Sequence, residues 1–209
     1  MKKDSSRVRL CVLVQDGISR LPFEKLIREI VAGGADSIQL REKALSDRAL
    51  LDRARLCRDG ARDILFIVND RPDIAVLSDA DGVHVGQADL PCADARRIVG
   101  PGRLVGVSAE NVSQLSAAEA DGADYLGVGC VFETSTKAIA HQGLMFVREA
   151  ARAATRPWIA IGGITHANIR SVIEAGAPGV AVCGAVLKDD DPRGATRRLM
   201  EAIAEARGK

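Results

Sequence analysis

The sequence predicts an α/β protein built as one (β/α)8 barrel over residues 1–209, and three observations lead there. Strand-like and helix-like segments alternate eight times, with no linker or composition shift to mark a second domain. The strand segments are apolar runs, as in a parallel sheet covered on both faces, rather than the alternating pattern of a half-exposed sheet. A turn before every second strand recurs as Gly34-Ala35-Asp36, Ala80-Asp81-Gly82, Gly122-Ala123-Asp124 and Gly176-Ala177-Pro178-Gly179. That two-unit spacing suits a closed eightfold ring, the single-domain TIM barrel. An open doubly wound sheet would usually carry a glycine-rich dinucleotide loop after its first strand, and Gln15-Asp16-Gly17-Ile18 is not one.

The first strand spans about Val8 to Val14, and its helix about Pro22 to Ala32. Pro22 suits a first helical position, and Gly33-Gly34 ends the helix. The second strand ends in Ser37-Ile38-Gln39-Leu40-Arg41-Glu42-Lys43, and a helix capped by Ser46 runs to near Arg58. Strand three is Ile64 to Val68, followed by a short helix over Pro72 to Leu77. Strand four is Gly82 to Val85, and its helix runs from near Pro91 to before Gly100-Pro101-Gly102. Strand five is Leu104 to Val107, and Asn111 caps a helix that ends by Gly122. Strand six is Tyr125 to Val128. A long polar loop, residues 129–143, precedes a helix from about Leu144 to Ala154, and its Ser/Thr-rich tip suggests a lid. Strand seven is Trp158 to Ile161, with a helix over Ala167 to Ala175. Strand eight is Gly179 to Val182, and the last helix covers Pro192 to Ala206.

Composition narrows the function. A formal net charge of +1 offers no bulk attraction to nucleic acid or an anionic membrane. Aromatic residues are 3% of the chain, too few for a base-stacking platform. No apolar run is long enough for a transmembrane helix, and Leu10 to Val14 is too short for a secretory core. Five scattered cysteines without C-x-x-C spacing fit reduced thiols in a cytoplasmic protein. The oligomeric state, a homo-oligomer included, stays open.

In such a barrel the active site lies at the carboxyl ends of the strands. Side chains alternate along a strand, so Gln39, Arg41 and Lys43 share one face and Ile38 and Leu40 the other. An amide and two cations on one face suit an anion, and Lys137 after strand six adds a third cation. Such a set fits a diphosphate better than a single carboxylate. Asp70 and Asp89 follow strands three and four; two carboxylates without histidine or thiol suit Mg²⁺, although Asp also caps helices. Gly162-Gly163 and Gly184, after strands seven and eight, offer backbone amides to a phosphate, with Thr134 and Thr136 as hydroxyl donors. Two anion sites in one mouth imply two phosphorylated small-molecule substrates. His84, between Val83 and Val85, reads as a packed interior histidine, and no Ser-His or Cys-His pair stands out. The chemistry therefore reads as ionisation of a C–O bond assisted by metal and cations.

Taken together, Gln39-Leu40-Arg41-Glu42-Lys43, Val68-Asn69-Asp70-Arg71, Gly82-Val83-His84-Val85-Gly86-Gln87 with Asp89, Gly106-Val107-Ser108, Thr134-Ser135-Thr136-Lys137 and Ile161-Gly162-Gly163-Ile164 resemble the thiamine-phosphate synthases over nearly the whole chain. The resemblance implies a (β/α)8 transferase of thiamine biosynthesis. It would join a hydroxymethylpyrimidine diphosphate to a thiazole phosphate, carboxylated or not, with loss of diphosphate. It further implies that Gln39, Arg41, Lys43, Asn69 and Lys137 hold the pyrimidine diphosphate, with Ser108 beside it. Asp70 and Asp89 would bind Mg²⁺. Thr134, Thr136, Gly163 and the backbone at Cys183 and Gly184 would hold the thiazole phosphate. Arg41, Lys43, Ser108 and Lys137 would be the catalytic groups. Two positions depart from the family pattern: Glu133 stands where Pro is usual, and Gly184 where Ser is usual. Phe132-Glu133-Thr134 resembles the sister thiazole tautomerases, which leaves an isomerase as an alternative beside a non-catalytic phosphate binder.

Overall fold

The structure is a computed structural model that describes residues 4–133 and 142–208. The first strand, β1 (Leu10–Val14), is followed by helix α1 (Phe23–Ala32), β2 (Ser37–Leu40), α2 (Asp47–Gly60), β3 (Leu65–Asn69) and α3 (Pro72–Leu77). Next come β4 (Gly82–Val85), α4 (Cys92–Val99), β5 (Leu104–Ala109), α5 (Val112–Ala120) and β6 (Tyr125–Gly129). The chain ends with α6 (Gly143–Ala153), β7 (Trp158–Ile161), α7 (Ile169–Glu174), β8 (Val180–Val182), α8 (Gly184–Leu187) and α9 (Pro192–Arg207). All eight strands run parallel in sequence order, and β8 pairs with β1 to close the barrel. Among the described residues no helix is long and apolar enough to cross a membrane.

Local sequence explains the elements. In α1 the buried positions are Phe23, Leu26, Ile27 and Ile30, one apolar stripe at helical spacing. Ser46 accepts from the Ala49 amide and Asn111 from the Gln114 amide, so both act as helix caps. Along each strand alternate residues serve two cores. Ile38, Leu40, Phe66, Val68, Val83 and Val85 pack outward against the helices. Cys11, Leu13, Leu65, Ile67, Leu104, Tyr125, Ile159 and Ala181 point inward and fill the barrel. Double-sided burial is why the strands read as unbroken apolar runs. Two short elements carry no such pattern: a 3-10 turn at Ser5–Arg7 below the barrel and α8 directly after β8.

The recurring turn has a structural task. The Asp36 backbone amide donates to Leu10 O, and its carboxylate accepts from the amides of Arg9 and Leu10 and pairs with the Arg9 guanidinium at 2.8 Å. Asp81 clamps both backbone groups of Phe66 in the same way and pairs with Arg58 at 2.9 Å. Asp124 clamps Val105 and pairs with Arg96. Each aspartate thus fastens the start of an even strand to the odd strand before it. The fourth turn has Pro178-Gly179 at this place, and a Cβ on Gly179 would lie 2.3 Å from Val8 O.

Removing one of these carboxylates leaves an arginine and a strand amide without their partner. Asp81 and Asp124 have side chains only 16% and 21% exposed. Asp81→Ala or Asp124→Ala is therefore expected to cost about 2–4 kcal/mol. Thermal unfolding should show a Tm lower by roughly 5–10 °C. A wild-type Tm in both variants would contradict the clamp.

Candidate active site

The polar residues singled out in the sequence gather at the carboxyl end of the barrel. Gln39 points into the barrel from β2 and is buried. Its register partners Leu13 and Ile67 are apolar, so its amide heads one wall of the interior. Arg41 and Lys43 lie just past the strand, Arg41 half-buried and Lys43 exposed. The Arg41 amide donates to Val14 O, which keeps this segment alongside β1. Between them, Glu42 accepts from the Asp16 amide at 2.5 Å, and Asp16 pairs with Arg53, whose guanidinium stacks on Phe23. Burial, more than any neighbour, raises the proton affinity of Glu42. This chain of contacts ties the loop after β1 to the loop carrying the two cations.

Asn69 ends β3, and Asp70 follows with φ of +62°, a left-handed backbone that Asp and Asn adopt more readily than most residues. Two sets of bonds hold it there. Its amide donates to His84 O at 2.8 Å, and the next residue, Arg71, pairs with Asp47 and Asp73, each at 2.6 Å. The turned backbone brings the Asp70 carboxylate 3.0 Å from Lys43 Nζ. It also brings it against the Asp89 carboxylate. Burial first, and then Asp89, hold the Asp70 carboxyl above the usual carboxylate range, and Lys43 only partly opposes them. Asp89 accepts from the Gly86 amide at 2.7 Å; a Cβ on Gly86 would fall 2.8 Å from Asp89 Oδ2, so the close approach needs glycine.

Two hard carboxylates pressed together at a solvent-facing edge fit a divalent cation such as Mg²⁺. Among the described residues no group of three or more acidic, histidine or cysteine side chains forms a cage. An ion held by these two carboxylates would take the rest of its oxygen shell from elsewhere.

The other strands complete the rim. Ser108 on β5 is half-buried; its carbonyl accepts from Gln87 Nε2 at 2.6 Å, and its hydroxyl meets His84 Nε2 at 3.0 Å. His84 is buried, as its place between two valines predicts, and its other ring nitrogen meets Tyr125 Oη at 3.1 Å. After β7, Gly162 and Gly163 have φ of +110° and +62°. A Cβ on Gly163 would lie 2.5 Å from Glu133 O, so this glycine seats the β7 loop directly on the β6 loop. Asn168 holds the same turn, donating to Gly163 O and accepting from the Thr165 amide. Cys183 and Gly184 open α8 after β8. Burial raises the Cys183 thiol, while the charges of Arg41 and Lys188 lower it.

The structure thus joins Lys43, Asp70 and Asp89 directly, and places Gln39, Arg41, Asn69, Ser108, Gly163, Cys183 and Gly184 at the same end. Thr134, Thr136 and Lys137, with the middle of the expected lid, lie outside the described residues. The feet of that loop are described: the Gln142 and Gly143 amides donate to Cys130 O and Val131 O. Tyr125, Glu42 and Asn168 are given no role by the sequence alone. Only Glu42 left a signal, its position between Arg41 and Lys43.

Comparison with known proteins points the same way. The thiamine monophosphate synthase family model matches residues 10–186. A thiamine-phosphate synthase of Moorella thermoacetica is 47% identical over 195 residues, covering 90% of this chain and 91% of that protein. A thiamine-phosphate synthase of Synechococcus sp. is 43% identical over 97% of this chain, which spans 59% of that longer relative. Among solved structures, thiamine phosphate pyrophosphorylase from Pyrococcus furiosus superposes with a TM-score of 0.89 at 35% identity, over 97% of this chain and 98% of that one. A match over most of the barrel, from the first strand to α8, means that the chain belongs to the thiamine monophosphate synthase family.

Proposed function

We propose that the barrel mouth binds a hydroxymethylpyrimidine diphosphate and a thiazole phosphate and joins them as thiamine phosphate, releasing diphosphate. The observation that carries this reading is the Lys43–Asp70–Asp89 cluster at the carboxyl end of a barrel of this family. Arg41 and Lys43, with Gln39, Asn69 and Lys137, hold the pyrimidine diphosphate by charge-assisted hydrogen bonds. Asp70 and Asp89 are the residues that would hold Mg²⁺, which when bound neutralises charge on the diphosphate and so eases its departure. The C–O bond breaks with its electron pair passing to the diphosphate, and the thiazole nitrogen supplies the pair for the new C–N bond. Nothing here requires a protein nucleophile. The chain's own task is to orient the two substrates and to set cations where charge develops.

Thr134, Thr136, the Gly163 turn and the amides of Cys183 and Gly184 hold the thiazole phosphate. Gly184 lacks the hydroxyl of the usual serine, but its amide can still donate. The five cysteines are free thiols, which supports a reducing, cytoplasmic setting.

The direct test supplies both substrates with Mg²⁺ and follows thiamine phosphate. Folded protein that makes none refutes the reading. Turnover of the thiazole isomer without any pyrimidine diphosphate would support the tautomerase alternative that Glu133 suggests. Binding of both ligands without turnover would mark a non-catalytic barrel.

Three variants refine the test. Asp70→Asn keeps the shape and tolerates the left-handed backbone, so circular dichroism should report an unchanged fold and a Tm kept or raised. Its kcat should fall by about 100-fold or more, as should that of Lys137→Ala. Near-normal rates in either would remove that residue from the machinery. Gly163→Ala should raise KM for the thiazole phosphate by about tenfold while sparing KM for the pyrimidine diphosphate, because its Cβ would separate the β6 and β7 loops. Equal effects on both KM values would argue against a separate thiazole site there.

A further inference from the structure

The barrel interior is apolar on most sides, yet one hydrogen-bonded line runs up through it. Tyr125 and His84 are both buried, their ring centroids 5.4 Å apart. Missing side chains make the room. A Cβ on Gly106 would fall 2.2 Å from Tyr125 Cζ and 2.5 Å from His84 Nδ1, and one on Gly127 would fall 3.0 Å from His84 Cε1. Register explains this: Gly106 lies beside both His84 and Tyr125, and Gly127 lies beside Ser108. Two aromatic rings therefore rest on bare backbone, below a serine that reaches the mouth.

Proton counting gives the line a direction. Tyr125 Oη is 3.1 Å from His84 Nδ1, and His84 Nε2 is 3.0 Å from Ser108 Oγ. Leu65, Ile67 and Leu104 pack against Tyr125 and carry no acceptor in their side chains. Burial keeps the phenol protonated. A buried O–H needs an acceptor, and among the described residues Nδ1 is in reach. With Nδ1 accepting, a neutral imidazole carries its hydrogen on Nε2 and donates to Ser108 Oγ. The serine oxygen is then engaged as an acceptor, and its own hydrogen is left for the mouth.

We propose that Tyr125 and His84 are positioning residues that fix Ser108 as a hydrogen-bond donor to an acceptor atom of the bound pyrimidine diphosphate. This rests on the functional reading above. Ser108 is the group that touches substrate; Tyr125 and His84 act only through it.

The first test needs no substrate. Protein labelled with ¹⁵N-histidine should show His84 as the Nε2–H tautomer, with an unprotonated Nδ1, in long-range ¹H–¹⁵N spectra near neutral pH. An Nδ1–H imidazole, or an imidazolium, overturns the proposal. The second test is a double-mutant cycle. Tyr125→Phe should lower kcat/KM for the pyrimidine diphosphate about tenfold, roughly one hydrogen bond, and leave KM for the thiazole phosphate unchanged. In a Ser108→Ala background the same change should cost almost nothing. An equal loss in both backgrounds would mean that Tyr125 only packs, and would overturn the proposal. Wild-type protein that makes no thiamine phosphate removes the functional reading and this proposal together; a wrong tautomer removes the proposal alone.

Discussion

Two carboxylates of like charge, Asp70 and Asp89, are pressed together at the rim of this barrel, and much of the mouth is arranged to keep them there. Their strands β3 and β4 are hydrogen-bonded neighbours, so the fold sets the spacing. The left-handed backbone at Asp70 turns the first carboxylate inward. A glycine at position 86 lets the second accept from the Gly86 amide. Arg71 is committed to Asp47 and Asp73 and holds the turn without neutralising the pair. Lys43 is the cation placed against Asp70. Repulsion of this kind disfavours the folded state unless a cation offsets it, and such arrangements cluster at functional sites.

The two ends of the barrel treat acids in opposite ways. At the amino end, Asp36, Asp81 and Asp124 are each satisfied by strand amides and an arginine. Those aspartates fasten strand to strand and have no charge left over. At the carboxyl end, the acids face each other and the glycine turns expose backbone. A stable frame below lets the rim hold two acids side by side, a division of labour expected of this architecture.

Much of this was legible in the sequence, for physical reasons. Double-sided burial writes each strand as an apolar run, and Ser46, Asn111 and Pro22 mark helix starts by local chemistry alone. The rim residues stand out because Gln39, Arg41, Lys43, Asp70 and Asp89 gather at or just past the carboxyl ends of neighbouring strands. What was hidden depends on partners far along the chain. The turn aspartates read only as turn signals, because Asp36 meets Leu10 across 26 residues. His84 read as interior packing, which it is, but Val83-His84-Val85 cannot show that Tyr125 and Ser108 lie at its two nitrogens. Gly106 and Gly127 read as strand glycines; their importance lies in the rings that occupy the vacant space. The Ser5–Arg7 turn and α8 are too short to show a period.

The central proposal is that the Asp70–Asp89 pair would make recognition of the diphosphate conditional on a divalent cation. Calorimetric titration of the folded protein with the pyrimidine diphosphate, with and without Mg²⁺, tests this most directly. Binding should be strong with Mg²⁺ and weaker by an order of magnitude or more without it, and an Asp70→Asn, Asp89→Asn double variant should lose that dependence. Equal affinity with and without the metal in the wild-type protein would contradict the account.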